Sequence, residues 1–107
     1  MIQKTYGYRG GAWMKQDFQD RIRYEYDKFF MEMMSTSKEN IFAKSKEIEE
    51  KKRIRNLLIQ RTETYTEEQL LVFCGMNNII ESAYRYFTDS GKELQAALKE
   101  WELHELE

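Results

Sequence analysis

The sequence predicts an all-α protein, a compact bundle of about five helices preceded by a glycine-rich N-terminal arm. Three observations predict it. Apolar residues recur at spacings of three and four, no segment reads as a convincing strand, and capping-box pairs punctuate a chain that contains no proline.

The arm comes first. Gly7, Gly10 and Gly11 stand beside Tyr6, Tyr8 and Trp13, and no glycine follows until Gly75. Glycine-rich backbone is entropically costly to order, so residues 1–13 read as a loosely held arm and 14–107 as a single helical domain. Met14 opens the helical pattern and is an alternative translation start.

The first helix is expected over 15–35. Phe18, Ile22, Tyr26, Phe29 and Met33 are spaced four, four, three and four apart, with Asp17, Asp20, Arg21, Arg23, Asp27 and Lys28 between them. Ser35, Thr36 and Ser37 interrupt the pattern. Thr36 and Glu39 have capping-box spacing and open a second helix over 37–60. In that helix Ile41, Ser45 and Ile48 share one face, whereas Ile54, Leu57 and Leu58 point roughly opposite. Glu49–Arg53 contains neither Gly nor Pro, so an unbroken helix is expected, its two ends packing on different neighbours. Thr66 and Gln69 repeat the box ahead of a helix over 67–74 that stops at Gly75. Asn77 or Asn78 caps a fourth helix over 78–88 carrying Ile79, Ile80, Ala83 and Phe87. Ser90 and Glu93 supply a third box for a last helix over 91–105 carrying Leu94, Ala97, Leu98 and Trp101.

Composition narrows the function classes. A chain of 107 residues supports one core. One cysteine and one histidine can make neither an internal disulfide nor a tetrahedral Cys/His zinc site, which points to a reducing cytoplasm. No stretch approaches 18 apolar residues and Met1 to Trp13 lacks a secretory apolar run, so neither a membrane span nor export is expected. Nucleophile and base chemistry usually needs a histidine, yet His104 lies near the C-terminus and Cys74 sits among Leu71, Val72, Phe73 and Gly75, where it reads as a small buried hydrophobe. A carboxylate-bridged di-metal bundle needs two Glu-x-x-His motifs, and Trp101 occupies the position three before His104. The chain is therefore expected to be no enzyme, with no catalytic, cofactor-binding or metal residue and no cofactor.

Charge is unevenly placed: the net values are +2 over 1–13, −1 over 14–35, +4 over 36–62 and −7 over 63–107. Solvated helix faces, internal complementarity between the second helix and the C-terminal half, and a basic patch of Lys51, Lys52, Arg53 and Arg55 for an acidic partner or nucleic acid all fit these values. Residues 66–87 also have the outline of a helix-turn-helix. Against that, Leu71 stands where a small residue permits close helix approach, Glu81 where an aliphatic side chain is usually buried, and the second helix offers Asn77, Asn78, Ser82 and a single Arg85. Nucleic-acid binding is the lesser alternative. Phe30, Met31 and Met34 lie off the first helix's apolar stripe, which fits either a broadened buried face or a contact surface. The partner expected is a protein or a second copy of the chain on that surface, since adaptable side chains suit interfaces.

Further residues occur in a familiar order: Glu25-Tyr26-Asp27-Lys28-Phe29-Phe30, Glu39-Asn40-Ile41, Ser45-Lys46-Glu47-Ile48 followed by Lys51 and Ile54, Thr66-Glu67-Glu68-Gln69 leading to Leu70-Leu71, and Ile80 with Tyr84 and Phe87. Over about residues 16–101 the chain resembles a family of short, uncharacterised, all-helical proteins encoded on conjugative and other mobile elements of gut bacteria. It departs from that family at Lys46, where an aromatic is usual, and at Lys52 and Arg53, where acids are usual. The resemblance implies the helical fold and a mobile-element setting, and it carries over no catalytic residue.

Overall fold

The structure, a computed structural model, describes residues 11–106, and among them every regular element is helical. In chain order these are α1 (Gly11–Met34), α2 (Lys38–Ala43), α3 (Ser45–Arg61), a 3-10 turn (Thr62–Thr64), α4 (Glu67–Cys74), α5 (Ile79–Ser90) and α6 (Leu94–Leu106). Residues 1–10 of the expected arm lie outside the described residues. Gly11 and Trp13 already belong to α1, so the first helix starts earlier than its apolar stripe.

That stripe does what its spacing implies. Phe18, Ile22 and Tyr26 are buried in a core shared with Ile54, Leu58, Tyr65, Leu70, Phe73, Ile79, Ile80, Ala83, Leu94, Leu98 and Trp101. The Trp101 indole stacks on Phe73 with centroids 5.3 Å apart and donates its N–H to Ser82 Oγ at 3.0 Å, so its one polar atom is satisfied. Phe18 meets Tyr65 edge-on at 5.7 Å. Gln19 reaches the Ile59 carbonyl, Tyr26 lies under Arg55 and Phe29 under Lys51. Numbers rise along α1 as they fall along α3, so the two helices are antiparallel.

The expected unbroken helix over 37–60 is corrected. It breaks at Lys44 (φ −101°, ψ 9°), leaving a six-residue α2 that buries no residue and a separate α3. From Ser45 onward the buried positions are Lys51, Ile54 and Leu58, three and four apart, which is one stripe. Of the other face read from the sequence, Ile41 belongs to the separate α2, and Ile48 is half-buried beside the α3 stripe. With no buried face, α2 has nothing to hold it collinear with α3.

Two caps also differ from the sequence reading. Ser37, not Thr36, caps α2: its Oγ accepts the Asn40 N–H at 3.1 Å, while Thr36 Oγ1 donates back to the Met33 carbonyl at the end of α1. Ser90 is the last residue of α5, because Gly91 adopts the left-handed conformation (φ 70°) that stops the helix there. The start of α6 is held by Glu93, whose carboxylate accepts the Ala96 N–H at 2.9 Å. The Thr66–Gln69 box is present in both directions, and Asn78 caps α5 by accepting from the Glu81 N–H at 3.1 Å. α4 stops at Gly75 as its position implies, though with right-handed backbone (φ −80°, ψ −9°).

Candidate partner surface

The end of α1 presents the three off-stripe residues to solvent: Phe30 is 38% exposed, Met31 71% and Met34 39%. Phe30 is held in place by stacking on Tyr26, ring centroids 6.0 Å apart, and Arg55 sits 4.8 Å from the Tyr26 ring centroid. Burial raises the Tyr26 phenol above its ordinary pKa, with the Arg55 charge opposing. Phe42 of α2, 83% exposed, is an apolar side chain that the sequence reading passed over. The signal was present: Phe42 falls on neither of the two faces assigned to residues 41–58.

The expected basic patch does not assemble as written. Lys52 and Arg53 are exposed, and Arg55 is directed to Tyr26 and to Asn56 Oδ1. Lys51 is buried at 5% exposure. Its ammonium lies 2.9 Å from Glu47, 2.6 Å from Glu81, 4.0 Å from the Phe29 ring centroid and 5.1 Å from that of Tyr84. Two carboxylates and two aromatic faces compensate a desolvated cation. Burial pulls the Glu81 carboxyl upward, yet the hydrogen bonds from Lys51 and Arg85 outweigh it and hold the group below its ordinary pKa. Arg61 is engaged likewise: its guanidinium grips the buried Glu102 carboxylate through two nitrogens, one at 2.6 Å, and the Tyr65 hydroxyl donates to the same carboxylate. Burial first, then the Glu102 hydrogen bond, raises the Tyr65 phenol far above its ordinary value. The positive charge of α3 is thus partly matched internally, by Glu81 of α5 and Glu102 of α6.

The helix-turn-helix outline is occupied from behind. Arg21 of α1 donates to the carbonyls of Cys74 and Met76, at the end of α4 and in the turn. Glu25, one helical turn further along α1, accepts the backbone N–H groups of Ile79 and Ile80 at 3.0 and 2.9 Å. A helix N-terminus that would face a DNA phosphate therefore already holds a carboxylate. Arg85, the one cation of the would-be recognition helix, is bonded to Glu81 at 2.9 Å.

A cleft of about 290 Å³ opens between α1 and the start of α5, lined by Tyr24, Glu25, Glu32, Lys51, Asn78 and Glu81 among others. Glu25, Lys51 and Glu81 are the same groups that join the helices, whereas Lys28 and Glu32, which also line it, are exposed. Cys74 is half-buried rather than fully buried, its Sγ 3.8 Å from Asp17 Oδ2, and burial followed by the Asp17 charge raises its thiol pKa. His104 is exposed, with its ring 5.8 Å from that of Tyr86. Among the described residues no group of three His, Cys, Asp or Glu side chains is gathered to hold a metal ion, and no helix is long and apolar enough to cross a membrane. No protein-family model, no curated protein and no solved structure matches this chain.

Proposed function

We propose that the chain is a non-enzymatic protein–protein interaction module of the cytoplasm, an accessory of the mobile element that carries it, and that it binds through the outer face at the end of α1. One observation supports this reading above the others. Phe30, Met31 and Met34 are exposed and lie outside the buried core cluster of the described residues. Aromatic and Met side chains are enriched at interfaces and are unfavourable to leave in water. The mobile-element setting rests on the sequence resemblance alone.

The test is a photo-reactive phenylalanine analogue at position 31, read in cells expressing the full chain, with the same analogue at exposed Glu68 as control. A discrete protein adduct is expected from position 31, lost when Phe30 and Met34 are changed to Ser. If position 31 yields no more adduct than position 68, the reading fails.

A further inference from the structure

We infer that α2 is a strap: it opens from the end of α1 while the core stays folded, and its opening uncovers Met33 and so widens the apolar face of Phe30, Met31 and Met34. That this face is the one a partner meets rests on the interaction reading above.

Register shows what the strap covers. The antiparallel pairs Gln19–Ile59, Tyr26–Arg55 and Phe29–Lys51 run on to set Met33 level with Glu47 and Ile48, where α1 ends and α3 begins. Met33 continues the stripe of α1 four residues beyond Phe29, yet it belongs neither to the core cluster nor to the side chains packed against it, and nor does Ile48. Both are nevertheless half-buried. The side chain seated on Met33 is Asn40 of α2, whose Nδ2 donates to Met33 Sδ at 3.6 Å and to Thr36 Oγ1 at 2.9 Å. Thr36 Oγ1 in turn donates to the Met33 carbonyl at 2.6 Å. One side chain thus ties α2 to the end of α1. Met33 is three residues from Phe30 and adjacent to Met34, so uncovering it widens the same face.

The tie is a weak one. α2 has six residues and buries none of them, and six is about half the length at which an isolated helix is even marginal in water. Its other attachments, the Ser37 cap and the Lys44–Glu47 ion pair at 3.8 Å, join it only to its neighbours in the chain. Phe42, 83% exposed, adds nothing to closure. Lys44 is the hinge. Its backbone (φ −101°, ψ 9°) lies near the bridge region, and its carbonyl accepts the Ile48 N–H at 2.9 Å, so α2 can swing while α3 keeps its first turn. A segment with no buried apolar surface opens at the low end of the free-energy range, well before the core.

Hydrogen exchange of the full chain reads the strap without any partner. The Ile41 and Lys44 amides, bonded to the Ser37 and Asn40 carbonyls, should exchange at least about a hundredfold faster than those of Ile54 and Leu58 after correction for intrinsic rates. Asn40→Ser keeps a similar helix propensity but is too short to reach Met33. It should speed exchange at 41 and 44 by a further factor of about three and leave Ile54 and Leu58 unchanged, which also shows that the variant folds. Oxidation of Met33 to its sulfoxide by dilute hydrogen peroxide should accelerate about threefold in the same variant, with half-buried Met76 as the unchanged control. Protection at 41 and 44 equal to that at 54 and 58 overturns the inference, as does Met33 oxidation indifferent to Asn40→Ser. In cells, Asn40→Ser should raise the adduct from the photo-reactive residue at position 31 about twofold, and an unchanged yield overturns the widening of the partner face. Absence of adduct from either chain removes the partner step together with the interaction reading, and exchange and oxidation then decide the strap by themselves.

Discussion

Arg21 and Glu25, one turn apart on α1 and 3.5 Å from each other, hold the two sides of the turn between α4 and α5. The cation takes carbonyls at the C-terminal end of α4 and in the turn, and the anion takes N–H groups at the N-terminal end of α5. Each charge thus meets the helix end whose partial charge it complements. This pair positions α5, and with it Glu81.

Removing Glu25 tests the clamp. Glu25→Ala leaves the N–H groups of buried Ile79 and Ile80 without their acceptor, which should cost about 1 to 3 kcal/mol in urea unfolding. Amide exchange at 79 and 80 should accelerate before that of the α3 core, because the loss is local to the start of α5.

Lys51 separates charge from packing. Lys51→Ala leaves Glu47 and Glu81 facing an unfilled space and should cost about 2 to 4 kcal/mol, below the full range for a buried pair because both carboxylates keep some solvent. Lys51→Met, which refills the space between Phe29 and Tyr84, should cost about half as much. Equal costs in denaturant unfolding would show that the cation, not the filled volume, is what matters.

Acid dependence follows from Glu81. Its folded pKa lies below the unfolded value, so its contribution is fully present above the ordinary carboxylate range and is lost as pH falls through the lowered value. Glu81→Gln should therefore lower the Tm at pH 7, and the gap to the parent protein should close towards pH 3.

Alkaline dependence follows from Tyr65, with the opposite sign. Its folded pKa lies above the ordinary 10.0, so its contribution is intact below about pH 10 and is lost as pH rises from there. Tyr65→Phe should cost about 1 kcal/mol at neutral pH and should flatten the alkaline limb of the Tm profile.

The caps are separable by mutation. Ser37→Ala should raise amide exchange at Asn40 and fray α2, whereas Thr36→Ala should leave that amide unchanged, since Thr36 bonds backward to Met33. Global stability should move little for either, because α2 buries nothing.

Local chemistry was legible in the sequence wherever a residue's role depends on neighbours along its own helix. The α1 stripe of Phe18, Ile22 and Tyr26, the Thr66–Gln69 box and a cap at Asn77 or Asn78 follow from 3.6-residue periodicity and short-range hydrogen bonding, as does the off-stripe position of Phe30, Met31 and Met34, though not their exposure. They required no knowledge of what packs where. The break at Lys44 was not legible, because no Gly or Pro marks it; the structure shows that α2, which buries no residue, ends there. The left-handed Gly91 displaced Ser90 from the cap its spacing implied.

Long-range pairing was decided by the tertiary structure. Lys51 and Lys52 are adjacent and chemically alike, yet one is caged by Phe29, Tyr84, Glu47 and Glu81 and the other is exposed. The reason is rotation: Lys51 falls on the stripe with Ile54 and Leu58, and the antiparallel α1 and the crossing α5 bring aromatic faces and a carboxylate to it. The sequence by itself determined that this is an all-helical chain with more apolar residues at the end of α1 than one stripe holds. Only the packing decided which charges hold the helices together and which remain exposed.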